Sequence, residues 1–294
     1  MYTKDILILA KSQKNNGTCI GGLDITNQNL EDWRKTTSLK WVRPVKAIPT
    51  ESFKQPDFNK LIPLDLNKNY LGVEFELLDV ITMTFIKPTP LNYQPENELV
   101  DLDTPWIKRK DFDYRYSPPG GGEEMGITLN NRDRQPLTNL VHMDKNQLMD
   151  HSIQFYSPKH DSVPYTCFVK EPAKNSLQFL KLTHKENKTR LLYESRNSWN
   201  GVITWNPRLE FIYKGKFHNL SITDLKFPKL KYRQPIKLQE TLIPLADGDL
   251  LDLTLPYPIS DAYISIGFGG EFNGKHYKFI TGLICELTQP EWWN

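Results

Sequence analysis

Cysteine is scarce. The 294 residues hold three, Cys19, Cys167 and Cys285, far apart and without a Cys-x-x-Cys pair. An odd, scattered set argues against a disulfide framework and suits a reducing compartment. All three sit among apolar or β-branched neighbours, which reads as small buried side chains, with a catalytic thiol as the other reading. Six histidines are scattered with no i, i+4 pair, so a structural zinc site is not expected. Gly-x-Ser-x-Gly, His-Glu-x-x-His and Gly-x-Gly-x-x-Gly are all missing, which removes the commonest esterase, zinc-peptidase and dinucleotide-binding signatures. No apolar run approaches the roughly 20 residues that span a bilayer. The longest, Ile6 to Ala10 and Val80 to Ile86, are strand-length. Met1 to Asp5 leads straight into the first of them, without a secretory leader's apolar stretch and cleavage site, so the expectation is a cytoplasmic protein with no membrane partner. Charge of one sign is also lacking: 37 basic against 35 acidic residues leave +2. A nucleic-acid face would have to come from local clustering.

What is present is β-strand signal. Hydrophobic residues make up 38% and aromatics 12%, enough for a core, and most of the 21 prolines fall between apolar runs. That pattern favours short strands joined by irregular loops. Tyr263-Ile-Ser-Ile-Gly267 and His276-Tyr-Lys-Phe-Ile-Thr-Gly-Leu-Ile284 flank a glycine-rich corner and the pair Asn273-Gly274, which closes a tight hairpin without strain. Phe211-Ile-Tyr-Lys-Gly-Lys-Phe217 echoes this hairpin upstream, and an internal duplication is one reading of the echo. At the other end, Asp5 to Lys11 and Cys19 to Ile25 read as paired strands, with Gly21 and Gly22 marking a bulge or barrel bend. Lys40 to Val45 gives a third strand limited by Pro44. Leu71 to Ile86 is two antiparallel strands or one bent strand. From Lys87 to about Pro158 prolines interrupt every run, apart from one short helix expected over Leu137 to Met149, and a long insertion or lid is expected. Strand signals resume at Ser162, with a hairpin-like connection at Asn187-Lys188 and a turn at Asp247-Gly248-Asp249.

Two sets of motifs carry a family resemblance. Ile6-Leu-Ile-Leu-Ala-Lys-Ser12, Cys19-Ile-Gly-Gly-Leu-Asp24 and Trp41-Val-Arg-Pro44 form the first; Ile264-Ser-Ile-Gly267, Phe272-x-Gly274 and Tyr277-Lys-Phe-Ile280 form the second. Together they resemble the bacterial dual OB-containing domain proteins, which implies two OB-like barrels and a place in a defence or conflict system. The resemblance transfers no catalytic set. The fold expected is therefore mainly β: two OB-like β-barrels, the first over 1–160 with an irregular insertion at about 87–158, the second over 161–294.

OB-like barrels bind by stacking rings on bases while Lys and Arg neutralise phosphates. The densest such cluster is Trp106-Ile-Lys-Arg-Lys-Asp-Phe-Asp-Tyr-Arg-Tyr116, in which Lys108, Arg109 and Lys110 precede Tyr114, Arg115 and Tyr116. The other reading is that these rings pin the insertion to the barrel, with Asp111 and Asp113 diluting the charge. A second cluster begins with Lys214 and Lys216 and continues through Lys226, Lys229, Lys231 and Arg233; it either tracks a phosphate backbone or guards a strand edge. Lys11, Trp41 and Arg43 come from the first motif set, as a stacking-plus-phosphate group or as a buried indole with a snorkelling Arg. Ser117-Pro-Pro-Gly-Gly-Gly-Glu-Glu-Met125 reads as a flexible hinge. No catalytic residue, metal or cofactor is assigned.

The leading expectation is a non-catalytic nucleic-acid-binding or sensing module, directed to single strands or to the backbone, with a protein partner from the same system. The alternatives are a subunit that docks a partner enzyme, and a phosphodiester enzyme using Asp111, Asp113, Glu123 and Glu124 around Mg²⁺.

Overall fold

The computed structural model describes residues 1–14, 17–26, 39–49, 56–62, 75–91, 94–109, 153–156, 166–169, 176–197, 203–224, 230–232, 237–238, 241–242, 250–251, 261–268 and 276–285. The described chain is mainly β, as expected, and its strands form two OB-like barrels. No helix among these residues is long and apolar enough to cross a membrane.

The first half supplies β1 (Tyr2–Lys14), β2 (Gly17–Asp24), β3 (Trp41–Pro49), β4 (Pro56–Ile62), β5 (Val80–Pro88), β6 (Asn97–Val100) and β7 (Ile107–Lys108). Strand β1 is long and serves two partners: Tyr2 to Leu7 pairs with β5, and Ile6 to Lys14 pairs with β2. The order β1-β2-β3-β6-β5 returns to β1, so five strands close a ring, with the parallel pair β3–β6 as its Greek-key crossing. Closure needs a bend, and Leu9 provides it as a bulge between the pairs Ile8–Gly22 and Ala10–Gly21. The bulge expected at Gly21 and Gly22 therefore lies opposite them, on β1.

Two corrections follow. Strand β6 lies inside the stretch read as insertion, yet it closes the ring; its four residues are all buried, and two of them, Asn97 and Glu98, are polar, so no apolar alternation marks it. Pairing with the first barrel thus continues through β6 to β7 at Lys108, well inside the stretch read as insertion. Pro44 does not limit the third strand, which runs to Pro49. Arg43 donates its N–H to Glu96 O, so the alternating Pro44 nitrogen faces away from β6, and the pairing with β2 has ended at Val42. At 75–79 the expected strand is instead a tight turn. Leu78 has φ +72°, held by its N–H to Ile8 O at 2.7 Å and by the Asp79 carboxylate accepting Glu76 N–H at 2.7 Å.

The second half holds β8 (Ile153–Tyr156), β9 (Thr166–Val169), β10 (Leu177–Thr183), α1 (His184–Asn187), β11 (Arg190–Asn197), β12 (Ile203–Tyr213), β13 (Lys216–Ser221), the short β14 (Leu230–Tyr232), β15 (Lys237–Leu238), β16 (Thr241–Leu242) and β17 (Leu250–Leu251), then β18 (Asp261–Phe268) and β19 (His276–Cys285). The connectivity repeats the first half. Strands β10 and β11 act as one bent strand broken by α1: β10 pairs with β18, and β11 with β12. The circuit passes through β12 and β13, crosses by the parallel bridge Ile222–Ile280, and returns through β19 and β18. Thr223 N–H to Ile280 O (2.8 Å) and Leu283 N–H to the Asp224 carboxylate (2.8 Å) hold that crossing. The repetition thus lies in the strand circuit. The echoing hairpins join β12 to β13 and β18 to β19, which are different steps of one barrel. The expected Leu137–Met149 helix, the Asn273-Gly274 pair and the Asp247-Gly248-Asp249 turn lie outside the described residues.

The core explains the unbroken apolar runs. Ile6 to Ala10 and Ala262 to Gly267 are buried at every position, which a strand requires only when both faces are covered. One core cluster fills the first barrel and also takes Leu177, Phe179, Tyr263 and Ile284 from the second half. Phe179 and Tyr263 stack there at 6.0 Å between ring centroids. The second cluster, including Leu191, Leu209, Phe211, Leu220, Ile264 and Leu283, fills the second barrel.

Candidate nucleic-acid interface

The described cations among those predicted for the first barrel are tied into it. The Lys11 ammonium donates to Phe75 O at 2.5 Å and lies 4.9 Å from the Phe75 ring centroid. Lys108 pairs with Asp79 at 2.8 Å, and Arg109 with Asp5 at 2.6 Å, anchoring β7 beside β5. Trp41 and Arg43 are each only 6% exposed. The Arg43 guanidinium meets Glu96 at 3.4 Å and donates to Ser176 Oγ at 2.7 Å, while Ser176 N–H and Oγ–H both donate to the Glu96 carboxylate. This buried trio bolts β3 and the approach to β6 onto the residue that precedes β10. Lys110, Tyr114, Arg115 and Tyr116, together with Asp111, Asp113, Glu123 and Glu124, lie outside the described residues.

A polar cluster also closes one end of the first barrel. Tyr2 Oη–H donates to Glu98 at 2.6 Å, and Lys4 bridges Glu98 (2.7 Å) and Asp24 (3.1 Å). Burial, then the hydrogen bond and charge of Glu98, push the Tyr2 hydroxyl far above its ordinary range. Burial alone would lower the Lys4 ammonium, but its bonds to Glu98 and Asp24 outweigh that and raise it. These charges satisfy one another. Among the described residues no group of three His, Cys, Asp or Glu is placed to hold a metal ion.

The second barrel is different. Tyr213 and Lys216 pair at the end of the β12–β13 hairpin, whose tip is Lys214 (φ +49°) and Gly215 (φ +73°). Two left-handed residues in succession match the twist of the flanking strands, and nothing lies within 4 Å of where a Gly215 Cβ would be. Lys214 and Lys216 are exposed, with the Lys214 ammonium 5.7 Å from the Tyr213 ring. Beside them lies the α1 turn. Asn187 Nδ2 donates to Ile212 O at 2.7 Å and its Oδ1 accepts Thr183 N–H at 2.8 Å. That brings exposed Lys185, Lys188 and Arg190 next to the hairpin tip. The one exposed acid among residues 185–190 and 214–217 is Glu186.

Below the tip, strand alternation turns one face of β11–β12–β13 away from the core residues Leu209, Phe211 and Leu220. Register aligns Arg190 with Glu210 and Asn219, Arg208 with Ser221, and Ile212 with Phe217. The Phe217 ring is 39% exposed at the top of this face. Beneath it Arg208 donates to Asn219 Oδ1 (2.5 Å), Asn219 O (2.8 Å) and Ser221 Oγ (2.9 Å), Asn219 Nδ2 reaches Glu210 at 3.3 Å, and Arg190 lies 3.7 Å from Glu210. Arg208, Glu210 and Asn219 are all buried, so these bonds satisfy covered polar groups rather than line an open surface. On the inner face His218 stacks on Phe211 at 5.1 Å; burial, then the charges of Lys278 and Lys216, lower its imidazole to about 4 against one opposing hydrogen bond at the Tyr213 backbone. It is neutral at pH 7.

Sequence reading found Lys214 and Lys216 but passed over Lys185, Lys188 and Arg190. The signal was the run His184-Lys-Glu-Asn-Lys-Thr-Arg190, three cations in seven residues around a turn. Its nearness to the hairpin comes from the pairing of β11 with β12 and from the Asn187 bond to Ile212.

A family model described as a dual OB-containing domain matches residues 4–283. No curated protein and no solved structure matches the chain.

Proposed function

The chain belongs to the dual OB-containing domain family, and we propose from that premise that it is a non-catalytic nucleic-acid-binding or sensing module. It engages single strands or the sugar–phosphate backbone, in the cytoplasm, as part of a bacterial defence or mobile-element system, alongside a protein partner from that system. One observation carries the reading: Lys185, Lys188, Arg190, Lys214 and Lys216 stand exposed around one end of the second barrel, with the Phe217 ring on the adjoining face. In the first barrel, Lys108 and Arg109 are only partly exposed and pair with Asp79 and Asp5. Cations at adjacent turns suit consecutive phosphates, and an exposed ring offers a stacking platform that tolerates any base.

The test is fluorescence anisotropy with labelled 12-mer oligo-dT, oligo-U and a DNA duplex. The expected result is binding that favours the single strands and weakens steeply with salt, each engaged phosphate adding about 0.7 to the slope of log affinity against log salt. Absence of binding at low salt overturns the reading, and a stably co-purifying protein in its place supports the docking alternative.

A further inference from the structure

We propose that Asn187 is a positioning residue for nucleic-acid binding: one side-chain amide sets the spacing between the two basic turns of the second barrel. The inference rests on the binding reading above and adds to it the element that makes five separate cations act as one site. Helix α1 is a single turn, far too short to be stable by itself. Its place is fixed from outside by Asn187, whose two amide ends reach two different strands: Oδ1 takes Thr183 N–H at the end of β10, and Nδ2 gives its proton to Ile212 O near the end of β12.

The residues that follow each anchorage carry the charge. Lys188 comes directly after Asn187, with φ +48°. Lys214, two positions after Ile212, has φ +49°. Both are non-glycine residues in a left-handed conformation, which costs energy and persists when the surroundings hold it. The clamp thus determines where Lys185 and Lys188 stand relative to Lys214 and Lys216. A ligand that neutralises both turns at once gains from a spacing already set, since ordering them on binding would cost affinity.

The experiment is a double-mutant cycle in the full chain, with labelled oligo-dT 12-mer as the probe. Lys188→Ala is expected to weaken binding about 3- to 10-fold in the wild-type background and less than about 2-fold once Asn187→Ala is present, because the clamp no longer holds the lysine in place. The salt slope of Asn187→Ala is expected to fall by about 0.7–1.4, the loss of one or two phosphate contacts. A merely structural role moves thermal stability but neither coupling nor slope. If Asn187→Ala does not fold by circular dichroism, Asn187→Asp takes its place; it keeps the acceptor for Thr183 and loses the donor to Ile212. Equal effects of Lys188→Ala in both backgrounds, with an unchanged slope, overturn the clamp and leave the binding reading intact. A wild-type chain that fails to bind the probe overturns both.

Discussion

Gly282 lies against the carbonyl of Leu9: a Cβ built on Gly282 would fall 2.2 Å from the Leu9 oxygen. Leu9 is the bulged residue of β1, so the bend that closes the first barrel also turns a carbonyl toward β19 of the second. Gly21 faces the second half differently, its Cβ position falling 2.7 Å from the side-chain Cδ1 of Leu177. At Gly282 the two barrels meet backbone to backbone, and the missing side chain is what lets them.

Gly282→Ala is therefore expected to destabilise the chain by about 1–3 kcal/mol or more, since a backbone carbonyl cannot step aside as a flexible side chain can. Urea denaturation measures it. A midpoint unchanged from wild type would show that the two strands are not held this close.

Arg43 and Glu96 together hold Ser176, the second bond between the halves. Arg43→Ala leaves the Glu96 carboxylate buried without its counter-charge, at an expected cost of about 3–5 kcal/mol. Replacing both, with Arg43→Met and Glu96→Leu, is expected to cost less than either single loss, because no uncompensated charge remains. The same denaturation series decides it. With Arg43 only 6% exposed, oligonucleotide affinity of any folded Arg43 variant is expected to equal that of wild type; a reduced salt slope would instead make Arg43 a phosphate contact.

His218 sets a pH dependence. Its folded imidazole titrates near 4 against an ordinary 6.5, so the unfolded chain takes up the proton first as pH falls. Stability from this group is complete above about pH 6.5, drains away between 6.5 and 4, and changes no further below 4, where the folded chain is protonated too. The shift corresponds to a loss of about 3 kcal/mol at about 1.4 kcal/mol per pH unit. Urea midpoints across pH 7.5 to 4 measure it, and His218→Phe is expected to flatten that part of the curve. An equal pH dependence in wild type and variant would mean that His218 carries its proton inside the barrel.

Much of this fold was legible because pattern and burial agree. Ile6 to Ala10 announced a strand covered on both faces, and Gly21-Gly22 announced a bend. Strand β6 escaped because Glu98 is satisfied by Tyr2 and Lys4, more than ninety residues back along the chain, and nothing local marks it as buried. Arg43 stayed open between a phosphate contact and an Arg snorkelling past a buried indole because its partners stand 53 and 133 residues away. The basic end of the second barrel was half legible: the hairpin lysines declare themselves through the Lys-Gly-Lys turn, whereas Lys185, Lys188 and Arg190 join them only through pairing that no sequence window contains.

Charge and stacking at that end separate by substitution. Lys214→Ala with Lys216→Ala removes two exposed cations and is expected to lower the salt slope of oligo-dT binding by about 1.4, at 0.7 per phosphate contact on a single strand. Stability should stay within about 0.5 kcal/mol, as for other surface changes. Phe217→Leu keeps an apolar side chain on the half-buried stem while removing the ring. Its expected effect is a loss of about 1–3 kcal/mol in affinity, the worth of one stacked base, with no change in slope. Anisotropy titrations at four salt concentrations give both quantities at once. If Phe217→Leu left affinity untouched while the lysine pair reduced it, the site would read phosphates alone and the ring would be ordinary surface. If neither variant changed binding that wild type shows, the ligand would sit elsewhere on the chain, and the exposed end of the second barrel would carry no part of it.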